Sequence, residues 1–486
     1  MTARLLLGID EGTTAVKAAL FDERLRPVRE ARRDKRSRHP RPGWVEQDGE
    51  EVLGAVVEAV AELLDDAPGE VVACGLDHQG ESVLAWDAES GAPLTPIVVW
   101  QDKRSQEVLD RLAGSEDEIR RRSGLPLDPY FSAGKLAWLL EHDDAVARAR
   151  DAGSLRMGTV DSFLCDRLGA GFATDASTAS RTQLHALGTP GFDPWLCERF
   201  GVPAGVLPAV RETAGDLGAL RHESWPVALP LRGQVVDQQA ALAGAGCVVP
   251  GRVKATYGTG VFILAHAGDD IPRPAGGLLP TVAWRIGGRT EYAIDGGVFA
   301  AGAMLEWLCR ELGVAPDPAA LGVLAREAEG SAGARVLPAL AGVGAPWWRP
   351  DARAVLAGLH GGTTRANVAR AALEGIAWRV ADVVSAVRES VDVRTLRVDG
   401  GVTNEPLMLE LQADAIGAPV EAGGADATVA GAAALAAVGA GMLGSLVEAA
   451  ELLPVDRRVE PRRDDGWRER EHGRWKAFVL AAAELR

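Results

Sequence analysis

The chain has 486 residues, with 52 Lys and Arg against 68 Asp and Glu, a formal charge of −16. With 47% hydrophobic and 25% charged residues it is neither fibrous nor disordered, and at roughly 150 residues per domain it holds two or three domains. The acidic balance argues against nucleic acid as the main partner, because phosphate neutralisation needs a basic surface; a local basic pocket for a nucleotide phosphate stays open.

Residues 5–9 read as an apolar strand, Asp10-Glu11-Gly12-Thr13-Thr14 as a turn and residues 15–21 as a second strand. The three leucines before Asp10 are too short a run for a signal peptide. A helix is expected over 50–64, with Val52, Leu53, Val56, Val57, Val60, Leu63 and Leu64 on one face. Strands follow at 71–76, 83–86 and 97–100, and another at 233–236 ends on Asp237 before an Ala-rich helix. Near the middle the opening design returns: a strand over 252–257, the turn Gly258-Thr259-Gly260 and a strand over 261–265.

Two strand–turn–strand units, one opening each half, predict a duplicated α/β architecture with two domains, residues 1–243 and 244–486. Asn367 is expected to cap a helix reaching about residue 388, and Asn404 another ending at Gly417. Residues 429–447 carry no charge over a membrane-spanning length, but they are mostly Ala and Gly, which favours a packed interior helix. Five scattered cysteines without a C-x-x-C pair point to a reducing compartment, hence a cytoplasmic protein without a membrane partner.

Some motifs mislead. The stretch Gly439-Ala440-Gly441-Met442-Leu443-Gly444 fits a dinucleotide fingerprint but follows a helix, where that fingerprint needs a strand. Ser132-Ala133-Gly134-Lys135 fits S-x-x-K without its companion motifs, and the eight His residues do not cluster at metal-ligand spacing.

The two Gly/Thr turns carry more. At Gly12 and Gly258 the backbone can approach a phosphate closely, and the surrounding N–H groups form an anion site. Lys17 adds a point charge, and Asp10 at the strand end can hold a Mg²⁺ through its waters. Asp237 at a strand end can take the proton of an attacking hydroxyl, and Gln238 can pair with a polyol. Plain hairpin turns and a helix cap at Asp237 are the structural alternatives.

These residues, in this order, resemble the FGGY carbohydrate kinases over essentially the whole chain, and the glycerol kinases among them most closely. The resemblance runs through Asp10 to Thr14, Pro42-Gly43-Trp44-Val45-Glu46-Gln47-Asp48, Trp100-Gln101-Asp102-Lys103-Arg104, Asp237-Gln238-Gln239 and Thr256-Tyr257-Gly258-Thr259-Gly260. It also covers both signature stretches, residues 130–142 and 354–374. It implies two actin-like ATPase (ribonuclease H-like) domains facing a central cleft that takes ATP, Mg²⁺ and a small polyol or sugar. By this resemblance Asp237 is the general base, and Asp10 and Asp237 hold the metal. Gly12, Thr13, Thr14, Ala15, Lys17, Gly258, Thr259, Gly302, Glu306, Gly401 and Asn404 line the nucleotide, with Lys17 standing for a usual Arg and Glu306 for a usual Gln. Glu81, Trp100, Tyr130, Gln238 and Phe262 match the polyol pocket.

One departure bears on the substrate. Gly80 stands where glycerol kinases carry an Arg, so the pocket is expected to lose a cationic donor and gain volume. The expected activity is ATP-dependent phosphorylation of a hydroxyl of glycerol or a related short polyol or sugar; phosphorylation of a longer polyol such as erythritol or a pentitol or pentulose is the alternative. An actin-like ATPase switch without a small-molecule acceptor, which would not need the set Glu81, Trp100, Tyr130 and Gln238, is the alternative from another class. A homodimer and a homotetramer both stay open.

Overall fold

The computed structural model describes residues 3–423 and 426–485. Its first sheet contains β1 (Ala3–Glu11), β2 (Ala15–Phe21), β3 (Pro27–Asp34), β4 (Gly69–His78) and β5 (Leu229–Val236), in the order β5-β4-β1-β2-β3, with Ala219–Leu220 on the β5 edge. The second contains β6 (Arg252–Tyr257), β7 (Val261–Gly268), β8 (Leu279–Ile286), β9 (Arg289–Val298), β10 (Thr395–Asp399) and β11 (Val420–Ala422), in the order β8-β9-β7-β6-β10-β11. In each sheet the opening strand runs antiparallel to the next strand and parallel to a later one: β1 with β2 and β4, β6 with β7 and β10. The duplication expected from the two Gly/Thr turns is therefore a duplication of topology, and both halves are α/β as expected.

The run Leu5-Leu6-Leu7-Gly8-Ile9 is apolar at nearly every position because β1 is covered on both faces. Leu5, Leu7 and Ile9 pack with Val52, Val56 and Val60 of α1 (Gly49–Leu64), whereas Leu6 packs with Ala433 and Ala437 on the other face. Helix α1 starts where Asp48 accepts hydrogen bonds from the Glu50 and Glu51 N–H groups at 3.0 and 3.2 Å, close to its expected bounds.

Among the further helices are α2 (Asp237–Gly244), α3 (Gly302–Arg310), α4 (Arg365–Val387), α5 (Pro406–Ile416) and α6 (Ala427–Gly439). Two caps differ from expectation. Thr364 caps α4 in a reciprocal box with Asn367, which lies one turn inside. Glu405 caps α5, its carboxylate accepting from Leu407 N–H at 3.0 Å, and Asn404 ends the preceding 3₁₀ turn, Gly401–Asn404. Pro406 explains the shift, since Pro favours the first helical position and bars the residue before it from helical backbone. Asp237 likewise is the first residue of α2 and not its cap; its own Oδ1 accepts from Gln238 N–H at 2.7 Å.

The uncharged Ala/Gly segment supplies α6, which is followed by a turn with Gly441 in the left-handed region. Although it lies late in the chain, α6 packs on β1, β4, β5 and α2 of the first half. Small residues permit the approach. A Cβ on Gly431 would lie 1.8 Å from the Ala240 carbonyl oxygen, and one on Gly244 1.8 Å from that of Ala427. A Cβ on Gly75 of β4 would lie 2.0 Å from the carbonyl oxygen of Ala432. No helix among the described residues is long and apolar enough to cross a membrane.

Gly431→Ala tests this packing with a clear sign. In a free helix the change stabilises by about 1 kcal/mol, but here the methyl group must displace backbone, so a net loss of about 1–3 kcal/mol is expected. Urea unfolding should show a lower midpoint at unchanged m-value; an unchanged or raised midpoint would contradict the close approach.

Candidate active site

Two neighbouring regions between the halves gather most of the residues singled out from the sequence. The first surrounds the opening turn. Asp10 lies one residue before the end of β1, Lys17 lies opposite it in register on β2, and Gly12, Thr13 and Thr14 join the strands, with Ala15 starting β2. Gln47 Nε2 donates to the Thr13 carbonyl at 2.7 Å, and Trp100 Nε1 donates to Thr13 Oγ1 at 3.0 Å. Behind them Lys35 and Glu11 form a buried ion pair that Gln79 joins, donating to Glu11 at 3.0 Å. The turn is thus held from inside while Thr14 faces solvent.

Across the cleft Lys17 pairs with Asp426, immediately before α6. Both line a cleft of about 530 Å³ together with Thr256, Asp399, Gly400 and Asn404, a volume within the usual range for a ligand site. Gly401 follows in the same turn. The second Gly/Thr turn is tied to the start of α3: Gly302 N–H donates to the Gly258 carbonyl at 3.0 Å, and Ala301 N–H to the Thr259 carbonyl at 2.8 Å. A Cβ on Gly302 would lie 2.6 Å from the Gly258 carbonyl oxygen, so the turn and the helix start need glycine to meet. Glu306 lies one turn further along α3 and is exposed; it does not line the 530 Å³ cleft.

The second region is a cavity of about 280 Å³ lined by Tyr130, Arg181, Gln238, Phe262, Asp295 and Trp348, among others. Trp100 meets Tyr130 edge-on, with ring centroids 5.5 Å apart, so one indole links the opening turn to this cavity. Gln238 is oriented by Lys254, whose Nζ donates to its Oε1 at 2.9 Å. That leaves the Gln238 amide NH₂ as a donor. Lys135, within the first signature stretch, is buried and donates to the carbonyls of Tyr130 at 2.5 Å, Phe131 at 3.0 Å and Glu81 at 3.5 Å. Its role is to fix pocket backbone, which explains why S-x-x-K misleads.

Asp237 lies between the two regions. Burial, reinforced by the Glu81 carboxylate and opposed by His78, raises its pKa to about 7. Burial likewise raises Asp10 to about 6, against the lowering influence of Asp77 and Lys17. Asp77, fully buried beside Asp10, lies well above the ordinary carboxylate range because of burial and the charge of Asp10, with which it shares a hydrogen bond.

Gly80 does not stand in open space. A Cβ there would lie 2.8 Å from Val236 Cγ2, so the path of a side chain at this position is filled by a stiff valine. Nor does the pocket lack a cation: Arg181 Nε donates to Glu81 Oε1 at 2.6 Å, and its Nη2 pairs with Asp295 Oδ2 at 3.0 Å. The pocket has no Arg at position 80, as expected, and holds another cation in Arg181. Arg181, Asp295, Lys254, Asp77 and Asp426 escaped the sequence reading. Only Arg181 left a trace, as the one Lys or Arg in residues 176–192.

Lys135→Met keeps length and apolar fit while removing the donor from three carbonyls. Each such bond to a charged group contributes about 1.5–3 kcal/mol, so a lower thermal midpoint is expected. A several-fold higher KM for the carbohydrate at unchanged ATP affinity should accompany it; equal loss of ATP affinity would show that Lys135 serves the fold at large.

The comparisons with known proteins agree with this geometry. Residues 5–244 match the N-terminal domain, and residues 253–440 the C-terminal domain, of the FGGY family of carbohydrate kinases. The glycerol kinase of Citrifermentans bemidjiense is 40% identical over 486 residues, covering 98% of each chain. That of Alkalilimnicola ehrlichii is 42% identical over 450 residues, covering 90% of this chain and 91% of its own. The crystal structure of Plasmodium falciparum glycerol kinase with ADP superposes with a TM-score of 0.94 at 28% identity, covering 99% of this chain and 98% of its own. The chain belongs to the FGGY family of carbohydrate kinases and is an ATP-dependent carbohydrate or polyol kinase.

Proposed function

We propose that this kinase transfers the γ-phosphoryl group of ATP to a hydroxyl of glycerol or a related short polyol, with Asp237 as the general base. The observation that carries this reading is the position of Asp237. It starts α2 between the polyol cavity and the carboxylates of the opening turn, and burial holds its pKa near neutrality, at about 7, where a carboxylate can accept a proton from a hydroxyl. Tyr130 and Phe262 cover C–H surface, and the Gln238 NH₂ and Glu81 address hydroxyl groups. Gly12, Thr13, Thr14, Ala15 and Lys17, with Gly258, Thr259 and Gly302 opposite, are the proposed phosphate cradle, and Gly401 and Asn404 the proposed nucleoside side. Phosphoryl transfer needs little covalent chemistry from the protein, so holding the hydroxyl in line with the phosphate is the main contribution of these residues.

The chemistry of the donors fits Mg²⁺. Asp10 and Asp237 would hold it, chiefly through water, and burial raises the pKa of Asp10 and of its neighbour Asp77, so a bound cation would favour their ionised forms there. No group of three or more His, Cys, Asp or Glu side chains among the described residues forms a ready metal cage; waters and nucleotide phosphates would complete the ligand set. When bound, the ion neutralises phosphate charge. The five cysteines are all unpaired and buried, which supports a cytoplasmic, reducing location.

ADP release measured with a panel of glycerol, erythritol, pentitols and pentuloses tests the proposal. Acceptor-dependent turnover is expected with at least one of them, whereas ATP hydrolysis indifferent to every acceptor would favour a switch ATPase. Asp237→Asn should lower kcat by roughly 10²–10⁴-fold while calorimetric ATP affinity stays close to wild type. A variant with most of its turnover intact would remove Asp237 from the role of base.

A further inference from the structure

Arg181 combines three properties that a simple surface ion pair lacks. It is 6% exposed. It bridges carboxylates from opposite halves, Glu81 at 2.6 Å and Asp295 on β9 at 3.0 Å. Its remaining terminal nitrogen, Nη1, is buried without a hydrogen-bond partner. A guanidinium has five N–H donors, and a buried donor left unmade is costly. Burial alone would disfavour its charge, but Glu81 and Asp295 outweigh that and hold it firmly protonated. Arg181 and Asp295 both line the 280 Å³ cavity beside Tyr130, Gln238 and Phe262.

Position 80 cannot supply this cation, because Gly80 has no side chain and Val236 fills the path one would take. The charges around the cavity are unequal. Arg181 is shared by two carboxylates, Asp237 adds a third, and Lys254 is tied to the Gln238 amide. A second anion brought in by the substrate would meet uncompensated negative charge, whereas a hydroxyl can donate to a carboxylate and accept from a guanidinium.

Resting on the kinase reading above, we propose that Arg181 and Asp295 form the specificity clamp of the polyol site: a hydroxyl away from the reacting one donates to Asp295 and is oriented by Arg181. The clamp selects uncharged polyols and rejects sugar acids. Because Arg181 comes from the first half and Asp295 from the second, a substrate held by both is held by both halves of the molecule. Glu81, with its backbone in the left-handed region at φ +59°, keeps its carboxylate on Arg181 and so remains part of the same device.

The test uses the full chain with saturating ATP and Mg²⁺, and glycerol, erythritol and D-gluconate as acceptors. Asp295→Asn keeps the shape and removes the charge. It should raise KM for the preferred polyol roughly 10- to 100-fold, leave kcat within a few-fold, and narrow the preference for polyol over gluconate by at least about tenfold. Asp295→Glu, which keeps the charge one methylene further out, should restore part of the polyol KM and all of the rejection of gluconate. Arg181→Lys, which keeps a cation but loses the fork, should raise KM in the same direction. Unchanged KM and an unchanged acid-to-polyol ratio, with only a lower thermal midpoint, would make the bridge purely structural and overturn the proposal. If Asp295→Asn does not fold, the same two readings decide the matter from Asp295→Glu and Arg181→Lys. A wild-type enzyme that phosphorylates no polyol or sugar would instead overturn the kinase assignment on which the clamp rests.

Discussion

Everything in the cleft depends on two helices whose backbones touch. Where α2 crosses α6, Gly244 and Gly431 each lie where a Cβ would come within 1.8 Å of a carbonyl oxygen of the other helix. That approach fixes one helix of the first half against one from late in the chain. Asp237 begins α2, and Asp426, the partner of Lys17, directly precedes α6. The crossing of these small residues therefore sets where Asp426 sits relative to Asp237, and with it the ion pair that Lys17 makes across the cleft. The arrangement also explains an Ala/Gly composition that looks membrane-like on paper: the segment is apolar because it is buried, and small because a larger side chain would push the helices apart.

Charge is the second constraint. Asp10, Asp77, Glu81, Asp237 and Asp295 gather near one cleft in a chain that is already acidic, and burial pushes the first four upward in pKa. Such a cluster is costly unless cations and bound ligands neutralise it. Lys17, Lys254 and Arg181 do so in part, each tied to a different neighbour: Lys17 to Asp426, Lys254 to Gln238, Arg181 to Glu81 and Asp295. The stability given up by crowding carboxylates is the cost of a site able to accept a proton and hold a cation near neutral pH.

What the sequence made legible was local. Strand–turn–strand patterning identified both opening units, because β1 and β6 carry their apolar runs and their glycines within a few residues. The helix over Gly49–Leu64 was readable from its periodic apolar face, and its Asp48 cap emerged only in the structure. Distant pairings were not. Lys17 and Asp426 are 409 residues apart, and neither position is periodic or capped in a way that announces the other. The substitution at Gly80 was visible, but its consequence was not, because the atom that fills the space belongs to Val236 on another strand. Arg181 follows the short helix Ala176–Ser180, whose small polar residues give no periodic signal. The caps of α4 and α5 were displaced by neighbours, Thr364 and Glu405, whose side chains reach the N–H groups in better geometry.

The division of labour between the halves follows from the same topology. In the first sheet Asp10 and Asp77 lie one residue before the ends of β1 and β4 and Asp237 directly follows β5, so parallel strands deliver three carboxylates to one edge, at the carboxyl ends where ligands sit in α/β sheets. The second sheet delivers Thr256 and Asp399 in the same way from β6 and β10. It adds Asp295 from the antiparallel β9, a strand with no counterpart contribution in the first half. On the proposed function, a duplicated fold accounts for the two phosphate turns but not for the polyol pocket, which draws Glu81 and Arg181 from connections outside the first sheet. Nucleotide chemistry would then be built on what the halves share, and recognition of the carbohydrate on the places where they differ.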